Sequence, residues 1–297
     1  MKILNFGSCN VDYVYSLDHI TMPGETQNSN SLKLFPGGKG LNQAIAIARA
    51  GSNVHFAGCL GDGGEMLKDI LSESGVDLSL VKTVTEKNGH AIISVSKDGE
   101  NSIILYQGSN AMVTKDYVDE VLENFEKDDI ILLQNEISNV DYIIEKAYKK
   151  GMCIIFNPSP FNDEIKKVDF SHISFLVLNE VEAKAVSSSD GVDEGIAYLQ
   201  CTYPSLKIML TLGSKGSVFI DGETKIYQDI FPVKAVDTTG AGDTFTGYFV
   251  SGISKGDDVS TVLKRSSVAS GISVSRNGAA TSIPCIAEVD KIIQNNK

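Results

Sequence analysis

The stretch Val118–Phe156, VDEVLENFEKDDIILLQNEISNVDYIIEKAYKKGMCIIF, decides the fold class. Val118, Val121, Leu122 and Phe125 recur at helical spacing before the short apolar run Ile130–Gln134. Val140, Ile143, Ile144 and Ala147 repeat that helical face before a second run, Cys153–Phe156. Runs this short, apolar on both alternating faces, predict strands buried between two layers. Strand, helix, strand in that order is a βαβ unit and therefore a parallel pair. The alternation continues outward in both directions. Lys2–Phe6 reads as a strand, followed by a helical face of Leu41, Ala44, Ile45 and Ala48. Val54–Cys59 reads as another, followed by Leu67, Ile70 and Leu71 on a helix. Leu176–Leu178 and Lys207–Leu212 extend the series. The expectation is an α/β protein with a mostly parallel central sheet and helices on both faces.

Two segments break the rhythm. His90–Ser96 and Ser102–Tyr106 are β-rich and flank Asp98-Gly99, a hairpin signal because glycine accepts positive φ. Asp221-Gly222 marks a second hairpin between Ser217–Ile220 and Lys225–Tyr227. Val11–Phe35 lacks helical period. Residues 11–35 and 88–107 together read as a small β-lid on one domain spanning 1–297; the alternative is an antiparallel extension of the main sheet's edge.

Composition narrows the function. With 42% hydrophobic and 22% charged residues, the chain has the make-up of an ordinary globular protein. Its 38 acidic and 26 basic side chains leave a net charge of −12, which disfavours nucleic acid and anionic membranes as partners. No apolar run approaches a membrane span. The N-terminus reads as a first strand rather than a leader. Five cysteines, none in C-x-x-C spacing, suggest reduced thiols in a cytoplasm. An anionic ligand would have to be held by local dipoles.

Asp237-Thr238-Thr239-Gly240-Ala241-Gly242-Asp243-Thr244-Phe245 supplies such dipoles. Phe245, Tyr248 and Phe249 carry helical spacing, so a loop of small residues opens directly into a helix. The amides of Gly240, Ala241 and Gly242 can converge on an anion, assisted by the helix dipole. Asp243 lands in the first turn. It is either a favourable helix-start charge or a base beside an anion hole, placed to take a hydroxyl proton during phosphoryl transfer. Neither G-x-G-x-x-G nor the P-loop pattern is met. A second glycine cluster, Pro36-Gly37-Gly38-Lys39-Gly40-Leu41-Asn42-Gln43, also opens a helix and is either a plain turn or a close approach to a polyol. Asn10 and Asp12 follow the first strand, either as Asx-turn residues or as ligand groups at a strand carboxyl end.

Gly7-Ser8-Cys9-Asn10-Val11-Asp12, the Gly-Gly-Lys-Gly-Leu-Asn-Gln segment and the Asp237–Phe245 loop together resemble the ribokinase-like (PfkB) carbohydrate kinases, in order and in position. The likeness spans nearly the whole chain. It includes Phe156-Asn157-Pro158, Leu178-Asn179-Glu180-Val181-Glu182, Thr211-Leu212-Gly213-Ser214-Lys215-Gly216 and Arg276-Asn277-Gly278-Ala279. It implies ATP-dependent phosphorylation of a small sugar, nearest to the members that convert D-ribose to ribose 5-phosphate. Asp243 would be the base, and the Gly240, Ala241 and Gly242 amides would stabilise the transferring phosphoryl group. Asn10, Asp12, Gly38, Lys39, Asn42 and Glu136 would grip the sugar. Asn179 and Glu182 would help place phosphates and Mg²⁺, and Thr211, Gly213 and Gly216 would hold the nucleotide. Asp237, Thr239, Ser273, Arg276, Gly278 and Ser282 match the loops that hold a monovalent cation, K⁺, and the adenine pocket would lie near Ser266 and Ser267. A homodimer through the lid is implied as well. Cys9, Leu178 and Val181 depart from the common family pattern without removing a proposed catalytic group. Rival readings are a fructokinase or nucleoside kinase, the latter stacking its base on Tyr13, Tyr15, Phe35 or Tyr106, and a non-catalytic sugar or nucleotide sensor.

Overall fold

Alternation along single strands produces the layers. In Ile130–Gln134, Ile130 and Leu132 enter one apolar cluster while Ile131 and Leu133 enter another. Ile3 and Leu4 divide between the two clusters in the same way. Both faces of the sheet are therefore core.

In the computed structural model, which describes residues 1–295, the strands in chain order are β1 (Ile3–Phe6), β2 (Asn10–Ser16), β3 (Ser31–Gly37), β4 (His55–Asp62), β5 (Asp77–Lys87), β6 (His90–Val95) and β7 (Asn101–Tyr106). They continue as β8 (Ile130–Gln134), β9 (Cys153–Asn157), β10 (Phe175–Asn179), β11 (Lys207–Thr211), β12 (Ser217–Asp221) and β13 (Thr224–Gln228). The helices are α1 (Lys39–Arg49), α2 (Glu65–Glu73), α3 (Lys115–Leu122), α4 (Val140–Lys150), α5 (Glu180–Ser187), α6 (Val192–Thr202), α7 (Ala241–Lys255), α8 (Val259–Val274) and α9 (Ile286–Asn295).

The larger sheet has nine strands in the order β13-β12-β11-β10-β9-β8-β1-β4-β5. It is parallel from β5 to β11, and the β12–β13 hairpin adds two antiparallel strands at one edge. Helices α1, α2, α7, α8 and α9 cover one face through Leu41, Leu67, Phe249, Leu263 and Val289. Helices α3 to α6 cover the other through Val118, Ile143, Ala183 and Leu199. The central strands β1 and β8 to β11 all end at the same edge of the sheet, where α/β proteins form a crevice.

The second sheet is separate, not an extension of the first. Its order is β3-β2-β6-β7, with β2 and β6 parallel and both flanking pairs antiparallel. Its strands fall within or beside residues 11–35 and 88–107, and residues 17–30 form an irregular connection. Strand β5 and helix α8 were not evident from the sequence. Along β5 an edge position leaves Asp77, Lys82, Thr83 and Glu86 interleaved with apolar residues, so no apolar run forms. In α8 the buried face includes Ser266, Ser267 and Ser273, which blunts the apolar period.

Candidate active site

Two helix starts meet at the sheet's carboxyl edge. The chain leaves β3 and enters α1 through Gly38, whose φ of +93° places it in a region that favours glycine. A Cβ there would also lie 2.9 Å from the amide nitrogen of Asn10. Across from it, Gly240 caps α7 at φ +74°. The first turn of α7 carries Asp243, which is buried at 7% exposure. Both of its oxygens are held from α1: Asn42 Nδ2 donates to Oδ2 at 3.0 Å and Gln43 Nε2 donates to Oδ1 at 2.9 Å. Two neutral donors orient the carboxylate without neutralising it.

The turn after β8 brings Glu136 to the same place. Its Oε2 accepts from the Lys39 amide at 3.0 Å and from Ser8 Oγ. Burial raises Glu136 above the usual carboxylate range, and the Lys39 ammonium together with these donors offsets only part of that rise. Burial alone would lower Lys39, but Asp243, Glu136 and Glu182 outweigh it and keep the ammonium above its ordinary value. Asp12 is pushed up to about 7, first by burial and then by the charge of Glu136. Asn10 Oδ1 accepts from Asn110 Nδ2 at 2.8 Å, fixing its amide. Asn42 Oδ1 is inaccessible and has no hydrogen-bond partner. A buried acceptor with no donor is costly in isolation, and it leaves the Asn42 amide held through its nitrogen.

A cavity of about 220 Å³ continues from here, lined by Lys39, Asn157, Asn179, Glu182, Thr211, Gly240, Gly242 and Asp243, among others. Asn179 and Glu182 form a reciprocal cap on α5: Glu182 N donates to Asn179 Oδ1 at 2.8 Å, and Asn179 N donates to Glu182 Oε2 at 3.0 Å. The cap explains why this pair suits a helix start, and it also holds both side chains at the cavity wall. Of the three amides read as an anion hole, those of Gly240 and Gly242 belong to cavity-lining residues. The Ala241 amide donates to Thr238 O at 3.3 Å. A Cβ added at Gly242 would meet nothing within 4 Å. Gly213 and Gly216 flank a single 3₁₀ turn after β11 and do not line this cavity, whereas Thr211 does. Ser266 and Ser267 donate their hydroxyls to Val262 O and Asp229 O.

The residues matched to a cation site lie in the loops at 237–239 and 276–282 and in the last turn of α8. Asp237 joins two loops, accepting from Thr239 N and Gly278 N, each at 2.9 Å. These donors hold Asp237 below the usual carboxylate range although burial acts the other way. Ser282 Oγ donates to Ala279 O at 2.8 Å, and Arg276 pairs with Glu288 and donates to Ser282 O. Ser273 Oγ is fully buried with no hydrogen-bond partner. Among the described residues no group of three or more His, Cys, Asp or Glu could hold a metal ion, so any cation here would rest on carbonyl and hydroxyl oxygens.

Four residues given no role from the sequence belong to the site: Ser8, Gln43, Asn110 and Asn157. Gln43 and Asn157 were signalled by polarity in apolar surroundings, on the buried face of α1 and at the end of β9. Ser8, two residues after β1, and Asn110, in a 3₁₀ turn at Gly108–Met112, carried no such signal.

This geometry matches known proteins along the full chain. The pfkB family carbohydrate kinase profile matches residues 1–286. A ribokinase of Haemophilus influenzae is 34% identical over 303 residues, covering 97% of each chain. The crystal structure of a ribokinase from Thermotoga maritima superposes with a TM-score of 0.88 at 33% identity, covering 99% of both chains. An Arabidopsis thaliana ribokinase, solved with ribose and ATP, gives a TM-score of 0.87 at 30% identity, covering 99% of this chain and 98% of that one. A carboxylate held by amides at a helix start, carried on this sheet topology and matched over this length, places the chain in the pfkB family of carbohydrate kinases.

Proposed function

We propose that the chain transfers the γ-phosphoryl group of ATP to the primary hydroxyl of D-ribose, giving ribose 5-phosphate. The observation that carries this reading is Asp243, buried and held at both oxygens by neutral amides beside the opening of α7. A carboxylate so placed takes the hydroxyl proton as the oxygen attacks phosphorus, while the Gly240 and Gly242 amides and the start of α7 stabilise charge on the phosphoryl oxygens. Asp12, Glu136, Asn10, Asn42, Gly38 and Lys39 would grip the hydroxyls of a small polyol. Charged and amide groups of this kind discriminate hydroxyl patterns better than an apolar pocket.

Asn179 and Glu182 would hold hydrated Mg²⁺ with the phosphates, where the ion would offset phosphate charge; one carboxylate and one amide suit a cation bound mainly by water and substrate. Thr211, Gly213 and Gly216 would shape the nucleotide end. The orphaned Ser273 hydroxyl, with the carbonyls of the Asp237, Thr239, Arg276, Gly278 and Ser282 loops, fits a monovalent cation such as K⁺.

The small sheet, 11–35 and 88–107, would act as the lid. Leu32, Leu34, Ile92 and Ile104 are exposed on its Tyr13 face, and we assign that apolar area to a second copy of the chain. No described helix is long and apolar enough to cross a membrane. The cysteines are all free, which supports a cytoplasmic location.

A nucleoside substrate is disfavoured by the pleat. Tyr13 and Tyr106 cluster around His90 by ring contacts, on the sheet face opposite Asp12, and Tyr15 shares their face. Only Phe35, the register partner of Asp12, faces the site. The test is ADP release with MgATP and K⁺ against ribose, deoxyribose, fructose and nucleosides. Turnover strongest with ribose is expected. Absence of ribose-dependent ADP release would overturn the assignment, and sugar binding without turnover would indicate a sensor.

A further inference from the structure

We infer that Gln43 is a positioning residue that locks Asp243 Oδ1 as a hydrogen-bond acceptor and thereby makes Oδ2 the atom that takes the proton. The inference rests on the reading of Asp243 as the base. Its own support is a chain of four primary amides, Asn5, Gln134, Gln43 and Asn157, each less than a tenth exposed. Gln43 Nε2 donates to Asp243 Oδ1 at 2.9 Å and to Asn157 Oδ1 at 3.3 Å. Gln43 Oε1 accepts from Gln134 Nε2 at 2.7 Å, and Gln134 Nε2 also donates to Asn5 Oδ1 at 3.0 Å. The outer ends are backbone carbonyls: Asn5 Nδ2 donates to Gly40 O at 2.6 Å and Asn157 Nδ2 donates to Val177 O at 2.9 Å.

Those ends fix the direction of every amide. A carbonyl only accepts, so Asn5 must turn its nitrogen to Gly40 and its oxygen to Gln134. Gln134 then presents its nitrogen to both Asn5 Oδ1 and Gln43 Oε1, leaving its own Oε1 without a partner, so turning it would break two bonds. Gln43 presents its own nitrogen to Asp243. The Val177 carbonyl gives the same answer through Asn157. A proton on Oδ1 would face an N–H that cannot turn away without leaving several buried amides mispaired. Oδ2 is different. It faces Asn42, whose amide makes its one side-chain hydrogen bond to Oδ2 itself, so turning that amide breaks no other contact. Rotation of Asn42 by half a turn would let its oxygen accept from a newly protonated Oδ2.

The step then balances as follows. The sugar O–H bond breaks and its proton goes to Oδ2. The oxygen's electron pair forms the new O–P bond, and the bond between phosphorus and the bridging oxygen breaks, its electrons leaving with ADP.

The charged groups facing Asp243 are Lys39 at the start of α1 and Glu136 after β8, with Glu182 beyond Lys39. None of them is altered by changing Gln43. In Gln43→Met the volume is kept and the donor is lost. With saturating ribose and MgATP, the acid limb of the kcat profile should move to higher pH by about one to two units, the scale of one charge-assisted hydrogen bond. The KM for ribose should stay within about twofold, since Gln43 does not reach the sugar. A purely structural amide would lower the Tm and leave the limb in place, and that result overturns the inference. If Gln43→Met does not fold, the equally neutral Gln43→Leu decides: a limb moved upward supports the assignment, and a profile superimposable on the wild type overturns it. Asp243→Asn separates the two levels. Should it retain near-normal turnover, the base reading fails; should it be inactive while both Gln43 variants keep the wild-type profile, only the role of Gln43 fails.

Discussion

Replacing Gly242 with alanine should make the protein more stable and much less active. Gly242 lies in the first turn of α7, and a methyl there would meet no protein atom within 4 Å. The substitution removes backbone freedom from the unfolded chain and adds helix propensity, worth about 0.5–1 kcal/mol. In a chain of this size that gain raises the Tm by about 1–3 °C. The empty space is the cavity beside Asp243, where the transferring phosphoryl group would meet the Gly240 and Gly242 amides. A methyl group displacing it should cost on the order of 10²-fold in kcat, comparable to losing one donor of an anion hole. The KM for ribose should change little. Gly240→Ala is the contrast. Its φ of +74° and a Cβ position 2.8 Å from that of Ala279 make it unfavourable to folding as well as to turnover. Thermal unfolding and steady-state ADP release on both variants suffice. A Gly242→Ala protein with wild-type kcat would refute the placement of the phosphoryl group, and one with a lowered Tm would refute the reading of that space as empty.

The raised Asp12, titrating at about 7, makes sugar affinity pH-dependent. Sugar hydroxyls donate to the ionised form, so binding releases a proton and calorimetric ribose affinity should strengthen from pH 6 to 8, a trend that Asp12→Asn abolishes. For the unliganded chain the sign is opposite: a carboxyl raised from 3.8 stabilises the fold in its protonated form, and that contribution is full below about 4 and gone as pH rises through 7. Ser273→Ala should leave the Tm unchanged or higher without K⁺, because it removes an unpaired buried hydroxyl, while weakening activation by K⁺; unaltered activation counts against the site. Light scattering at micromolar concentration should report a dimer. A monomer contradicts the assignment of the lid's apolar area to a second copy.

The layered fold was legible because the central strands of the parallel sheet are buried on both faces and so read as apolar runs, as in Ile130–Gln134 and Cys153–Asn157. Strand β5 escaped because an edge strand needs only half of its residues to be apolar. At the site, Asp243, the glycines of its loop and the Asn10–Asp12 segment stood out by type and spacing. Gln43, Gln134 and Asn5 did not, because their partners lie 35 to 200 positions away in sequence. Asn5, a polar residue with no exposure inside Ile3–Phe6, was a local clue to that chain. Asn179 and Glu182 show the reverse case. Their spacing is equally that of a helix cap, which they form, so spacing alone could not separate the cap from a phosphate site.

The most direct test of the central claim compares Asp243→Asn with the wild type in two measurements on the same preparations. Asparagine keeps the size of the side chain and removes the base. Ribose binding by calorimetry should persist, while ribose-dependent ADP release should fall by about 10²-fold or more, the scale of general base catalysis. Retained binding with near-normal ADP release would contradict the account.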